Sequence, residues 1–165
     1  MNYHDIKKDD ISNGEGLRVT LFVSGCNHYC KECQNQQTWD PRSGIPFGSK
    51  ARSEIFNELE KEYIHGLTLC GGDPLYKTNI STLTKLVKEV RERFPNKSVW
   101  LYTGSLWEDI CNIELVTLCD VVIDGPFKCE LLDVKYPYAG STNQRIIDVK
   151  KSIINNKCTL YEYER

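Results

Sequence analysis

No apolar run in the sequence approaches the roughly eighteen residues that a membrane-spanning helix needs. The first ten residues, MNYHDIKKDD, lack the apolar core of a secretory signal. Basic charge is not in surplus. Lys and Arg number 21 against 23 Asp and Glu, for a net charge of −2. A nucleic-acid binder needs a basic excess or stripe to neutralise phosphates, so that class is disfavoured. Internal repeats, low-complexity tracts and linkers are also missing. These absences predict one domain over residues 1–165, cytoplasmic, with neither membrane nor nucleic acid as a partner.

What is present is an ordinary globular composition, 40% apolar and 27% charged, in a chain of 165 residues. That length buries about two-thirds of the unfolded surface, so a core can form without staples. Eight cysteines stand out in a protein expected where disulfides rarely persist. Cys70, Cys111, Cys119, Cys129 and Cys158 are scattered singly and read as small buried hydrophobes. Cys26, Cys30 and Cys33 differ, because C-x3-C-x2-C brings three sulfurs within reach of one metal centre.

Strand patterns alternate with helical ones. RVTLFV (18–23), GLTLC (66–70), SVWLY (98–102) and DVVID (120–124) are short apolar, β-branched or aromatic runs closed by turn residues. Between them, Ala51, Ile55, Leu59 and Tyr63 predict a helix over 51–63. Ile80 to Phe94 keep helical spacing until Pro95. Ser105 and Glu108 form an S-x-x-E capping box that predicts a helix running to about Leu118. Two further short strands are expected near 144–148 and 158–163.

Alternation of this kind predicts a parallel sheet whose ligands sit at the carboxyl ends of its strands. The cysteines follow the first of those strands, Gly71-Gly72-Asp73-Pro74 the second, Thr103-Gly104 the third and Asp124-Gly125 the fourth. Four loops converging on one rim make a site. A closed eight-stranded β/α barrel takes about 250 residues. This chain is shorter and has about six countable strands, so the expected fold is α/β, an incomplete, laterally open TIM-like barrel with outer helices. Two metal centres fit three thiolates. A structural zinc site needs a fourth ligand, which His28 or Cys70 could supply. A [4Fe–4S] cluster held by three cysteines leaves one iron free for a ligand.

C-x3-C-x2-C after the first of these strands, with a Gly-Gly-acid motif after the second, resembles the radical S-adenosylmethionine superfamily. NGEGLRVTLFVSGC (13–26) is similar to the N-terminal signature of glycyl-radical-enzyme activases. GGDPLY (71–76), YTG (102–104), DGPF (124–127) and GSTNQRIIDV (140–149) look like the activases that serve anaerobic ribonucleoside-triphosphate reductases. The resemblance implies a [4Fe–4S] cluster on Cys26, Cys30 and Cys33, with S-adenosylmethionine on the fourth iron. It implies cofactor contacts from Gly71, Gly72, Asp73 and Thr103, a ribose contact from Asp124, and an adenine pocket lined by backbone around Cys33, including Glu32 and Gln34. It also implies a glycyl-radical reductase as substrate and a reductant such as flavodoxin. His4, His28 and His65 need no catalytic role in such chemistry. Two positions depart from the pattern. Glu32 stands where many members carry an aromatic residue, and Cys70 where related activases often have serine.

Two alternatives stay open at this level: an activase of the pyruvate formate-lyase type, and a zinc-stabilised binding module. Replacing Cys26, Cys30 or Cys33 by alanine is expected to abolish the reduced-cluster signal and cofactor cleavage, while Cys111→Ala and Cys158→Ala leave both largely intact. The electron spin resonance spectrum and a cleavage assay check this; full cluster content in Cys30→Ala would contradict the assignment.

Overall fold

The computed structural model describes residues 1–163. Its strands are β1 (Asn2–Asp10), β2 (Arg18–Val23), β3 (Ile45–Pro46), β4 (Gly66–Gly71), β5 (Ser98–Tyr102), β6 (Val121–Asp124) and β7 (Arg145–Asp148). They form one open seven-stranded sheet in the order β3-β1-β2-β4-β5-β6-β7. The central strands β2, β4, β5 and β6 are parallel, as their alternation with helices requires. Both flanks are antiparallel: β1 pairs with β2 and β3 on one side, and β7 with β6 on the other. The sheet does not close into a barrel.

Each strand presents alternate residues to two unlike faces. Val19, Leu21, Val23, Leu67, Leu69, Val99, Leu101, Val122 and Ile147 belong to the main core. There they join the apolar stripes of α1 (Ser49–Leu59) and α2 (Ile80–Arg93) and the buried residues Leu115 and Val116 of the short helix α4 (Glu114–Thr117). On the other face Trp100, Val121, Ile123 and Ile146 pack against Tyr102, Tyr138, Ala139, Tyr161 and Tyr163, none of them helical. One face of the sheet is therefore free of helices above its floor of side chains.

Arg18 anchors that second face from the amino end of β2. It is fully buried, and all five of its hydrogen bonds go to uncharged oxygens. The acceptors include the Thr68 hydroxyl at 2.7 Å and the Ser98 carbonyl at 3.0 Å, and the guanidinium carbon lies 5.2 Å from the Trp100 ring centre. Burial without a paired carboxylate lowers its pKa to about 10.

Several expectations need correction. β1 is nine residues long and was not predicted, since its charges and two irregularities of register hide the buried Tyr3, Ile6 and Asp10. The helix expected over 51–63 ends at Leu59, leaving Tyr63 exposed. The single helix expected from Ser105 is two four-residue pieces, α3 (Trp107–Ile110) and α4, broken where the Ile113 amide donates back to Ile110. Its capping box does not form, because Glu108 pairs with Arg145. The Trp107 amide donates instead to Asp124 Oδ2, at 2.8 Å. The strand expected near 144–148 is β7, which runs antiparallel and leads into α5 (Val149–Asn155). Near 158–163 there is a single bridge, Leu160 to Ile147. No helix among the described residues is long and apolar enough to cross a membrane.

Asp120 ties three elements together behind the sheet. Its Oδ2 accepts from the Val99 amide at 2.8 Å and Arg91 at 2.6 Å, and Lys150 lies 2.9 Å from Oδ1. Burial alone would raise its pKa, but the Val99 amide, Lys150 and Arg91 outweigh it and hold the carboxyl below the usual range. A depressed carboxylate stabilises the fold above its unfolded pKa, near 3.9, and loses that contribution as pH falls through the lower folded value. Asp120→Asn is expected to cost about 1–3 kcal/mol at neutral pH. The gap from wild type in urea midpoint should narrow below about pH 4; a gap independent of pH would contradict this account.

Candidate functional site

The carboxyl end of β2 opens into the cysteine loop. Its base is closed by backbone bonds from the Gly25 amide to the Thr38 carbonyl (2.7 Å) and from Cys26 to Trp39 (3.1 Å). Inside it the Cys33 amide donates to the Cys30 carbonyl, and the Asn35 amide approaches the Cys33 sulfur at 3.4 Å. Cys26, Cys30 and Cys33 are half-buried and line a cavity of about 780 Å³. This cavity spreads from the strand ends over the helix-free face, with Phe22, Cys70 and Tyr102 among its lining, and Phe127, Tyr136 and Tyr138 line it as well.

Two of the thiols are made poorer acids by their surroundings. Burial raises the pKa of Cys26, with nearby Asp73, Cys30 and Cys33 adding to it against the His28 amide. Burial likewise raises Cys30, against the Phe127 amide. Crowded, partly buried thiols beside a carboxylate are a donor set that a cationic centre would ionise readily, since its charge inverts the local balance. The three sulfurs line one cavity, and three clustered thiols are a donor set whose chemistry suits a [4Fe–4S] cluster. The closed zinc set is not assembled. His28 is bonded to Asp73, and Cys70 lies under the cavity with its thiol pushed far up by burial. Among the described residues no three His, Cys, Asp or Glu side chains, the cysteine trio included, are arranged as ligands of a single ion.

The second loop is joined to the first. The Gly72 amide donates to the Val23 carbonyl at 2.7 Å, and the Asp73 amide to Gly25 at 2.8 Å. A Cβ on Gly72 would fall 2.5 Å from the Gly25 oxygen, and one on Gly71 (φ +100°) 2.7 Å from the Val23 nitrogen. Both glycines line the cavity, yet their first requirement is this contact of backbone on backbone. Asp73 is 3% exposed. Its Oδ1 accepts from the Leu75 amide at 2.8 Å, and its Oδ2 from His28 at 2.5 Å and the Thr103 hydroxyl at 2.9 Å. The bond to Asp73 raises the pKa of His28. Buried Asn79 donates to the carbonyls of both Ser24 and Asp73, pinning the two loops from behind.

The expected residues thus divide. Cys26, Cys30, Cys33, Gln34, Gly71, Gly72, Asp73 and Thr103 line one cavity. Glu32 is exposed and outside its lining. Asp124, expected at a ribose, is fully buried and outside it too. Its place follows from strand alternation: Val121 and Ile123 face the cavity side of β6, so Val122 and Asp124 face the helices. There its carboxylate caps α3 and binds Arg145 through Nε at 3.1 Å and Nη2 at 2.5 Å. The sequence offers His28 only as a possible zinc ligand, not as a partner of Asp73, and does not single out Asn79. A histidine between two clustered cysteines was a signal for the first; nothing marked the second.

Comparison with known proteins agrees with this geometry. A family model described as a 4Fe-4S single cluster domain matches residues 12–147. The chain is 46% identical over 146 residues to the anaerobic ribonucleoside-triphosphate reductase-activating protein of Enterobacteria phage T4, covering 88% of this chain and 93% of that one. It is 40% identical over 148 residues to the protein of the same name in Escherichia coli K12 (87% and 96%), and 41% identical over 152 residues to that of Pasteurella multocida (88% and 96%). The chain belongs to the 4Fe-4S single-cluster family, and within it to the anaerobic ribonucleoside-triphosphate reductase-activating proteins.

Because Asp124 serves the fold, Asp124→Ala is expected to lower stability by about 2–3 kcal/mol, the cost of removing the buried partner of Arg145, which keeps Glu108, and of uncapping α3. Bound iron should be retained. Unfolding in urea checks this, and an unchanged midpoint would show that the carboxylate holds something other than the fold.

Proposed function

We propose that this protein activates an anaerobic ribonucleoside-triphosphate reductase by radical S-adenosylmethionine chemistry, with residues 1–165 acting as one radical SAM domain and the open sheet as its incomplete barrel. The observation that carries the reading is the shared cavity. Three half-buried thiols and a Gly-Gly-Asp loop line the same space and are joined by backbone hydrogen bonds. The names of the relatives support the choice of partner.

In this reading Cys26, Cys30 and Cys33 hold three irons of a [4Fe–4S] cluster. When bound, the cluster would supply one electron for reductive cleavage of S-adenosylmethionine, whose 5′-deoxyadenosyl fragment takes a hydrogen atom from a glycine of the reductase. The chain's own part is placement. Asp73 Oδ1 accepts a single hydrogen bond, from Leu75, which leaves a lone pair for the cofactor's ammonium group. Thr103 steadies the other oxygen. The backbone around Cys33 and Gln34 offers an adenine pocket on the same wall. Orientation of one C–H bond against the reactive carbon is the main contribution a protein can make to such a step.

The rim supports a polypeptide substrate. Ile11, Leu132 and Val134 line the cavity while exposing 71%, 51% and 90% of their surfaces, and large exposed apolar side chains collected at one mouth mark a protein-binding surface. A one-electron donor such as flavodoxin completes the set of partners in this proposal.

Mixing the reduced protein, S-adenosylmethionine and the reductase without oxygen is expected to give a carbon-centred doublet in the electron spin resonance spectrum and 5′-deoxyadenosine equimolar with it. Replacing the reductase's radical glycine by alanine should remove the doublet. Cofactor cleavage with no protein radical on the reductase, but a radical on a pyruvate formate-lyase, would transfer the activity to that partner. Colourless, iron-free protein carrying zinc would end the reading.

A further inference from the structure

The cysteine loop is irregular, and two of its non-glycine residues hold left-handed backbone, Tyr29 (φ 48°) and Glu32 (φ 56°). Such a segment keeps its shape when its surroundings fix it. Among the described residues, one side-chain hydrogen bond joins residues 27–32 to the Gly-Gly-Asp loop: His28 Nε2–H to Asp73 Oδ2, at 2.5 Å. Toward the segment after β6, the Phe127 amide acts on the Cys30 thiol, and Lys31 pairs with Glu130 in the open at 3.9 Å, which has little hold.

His28 is also held from its other side. A Cβ on Gly104 would fall 2.5 Å from the imidazole ring, so the ring rests directly on the backbone of the loop after β5. Thr103, one residue before, donates to the same Asp73 oxygen at 2.9 Å. One side chain therefore touches all three loops that follow β2, β4 and β5. It borders a second cavity too, of about 400 Å³, whose lining includes Lys77 and Ser105. The His28–Asp73 pair lines both spaces.

We propose that His28 is a positioning residue for the cofactor. It holds the carboxylate of Asp73 and, through it, sets the separation between the three cysteines and the Gly-Gly-Asp loop. A single ligand that must reach an iron and Asp73 together is sensitive to that separation, since misplacement by about 1 Å is costly. This rests on the S-adenosylmethionine reading above.

The test compares iron-loaded wild type, His28→Ala and His28→Gln by anaerobic titration calorimetry with S-adenosylmethionine. The spin resonance spectrum of the reduced cluster is recorded with and without that cofactor. All three proteins should hold equal iron. His28→Ala should bind the cofactor about tenfold more weakly, as expected for losing one hydrogen bond to a buried charge. Its spectrum should change less on cofactor addition. His28→Gln, which restores a donor, should recover affinity to within about threefold of wild type. Wild-type affinity in His28→Ala would overturn the proposal. So would a glutamine variant no better than alanine, or loss of iron from His28→Ala, which would make the ring a ligand. If wild type holds iron yet binds no S-adenosylmethionine, the cofactor reading itself has failed; if wild type binds and His28→Ala binds equally, the assignment of His28 alone has failed.

Discussion

Everything in the site depends on two backbone hydrogen bonds beyond the ends of β2 and β4, from Gly72 to Val23 and from Asp73 to Gly25. They extend the parallel pairing of the central strands into the loops, so the register that pairs Val23 with Gly71 also fixes where Cys26 stands relative to Asp73. The pairing tolerates no Cβ at Gly71 or Gly72. Sequence chemistry that looks like a ligand cradle is here a joint first, and the ligand surface is what the joint leaves exposed.

The sheet's two faces divide the labour. One carries the aliphatic core with the helices, and the other carries Phe22, Cys70 and Tyr102 beneath the cavity. Because neighbouring residues on a strand point to opposite faces, a one-residue shift in reading separates a cavity residue from a structural one. Asp124 is the example. The motif around it is where a cofactor contact was expected, while its carboxylate caps α3 and holds Arg145.

How much could be read from the sequence follows the same physics. The four parallel strands were legible because each is a continuous apolar or β-branched run with turn residues behind it. The cysteine spacing and the Gly-Gly-Asp motif were legible because both are local. β1 was hidden by its charges, as an antiparallel strand beside the sheet's edge needs few buried side chains. The capping box failed because Arg145 and Asp124, both distant in sequence, took its glutamate and its amide. His28 and Asn79 gained their roles from loops 45 and 55 residues away. No local pattern carries such information.

The walls of the cavity are drawn from residues as far apart in sequence as Lys7 and Gln144. β1 and β2 meet across a short turn, but β2 and β4 enclose the cysteine loop, β3 and α1 between them. Loop closure makes such non-local parallel pairing slow compared with a neighbouring antiparallel pair. On the ribosome, then, the three thiols emerge well before the strands and the segment after β6 that complete their pocket. Cluster insertion has its full cavity once the chain has been made past Gln144, and until then the loop is an open, unshielded trio of thiols.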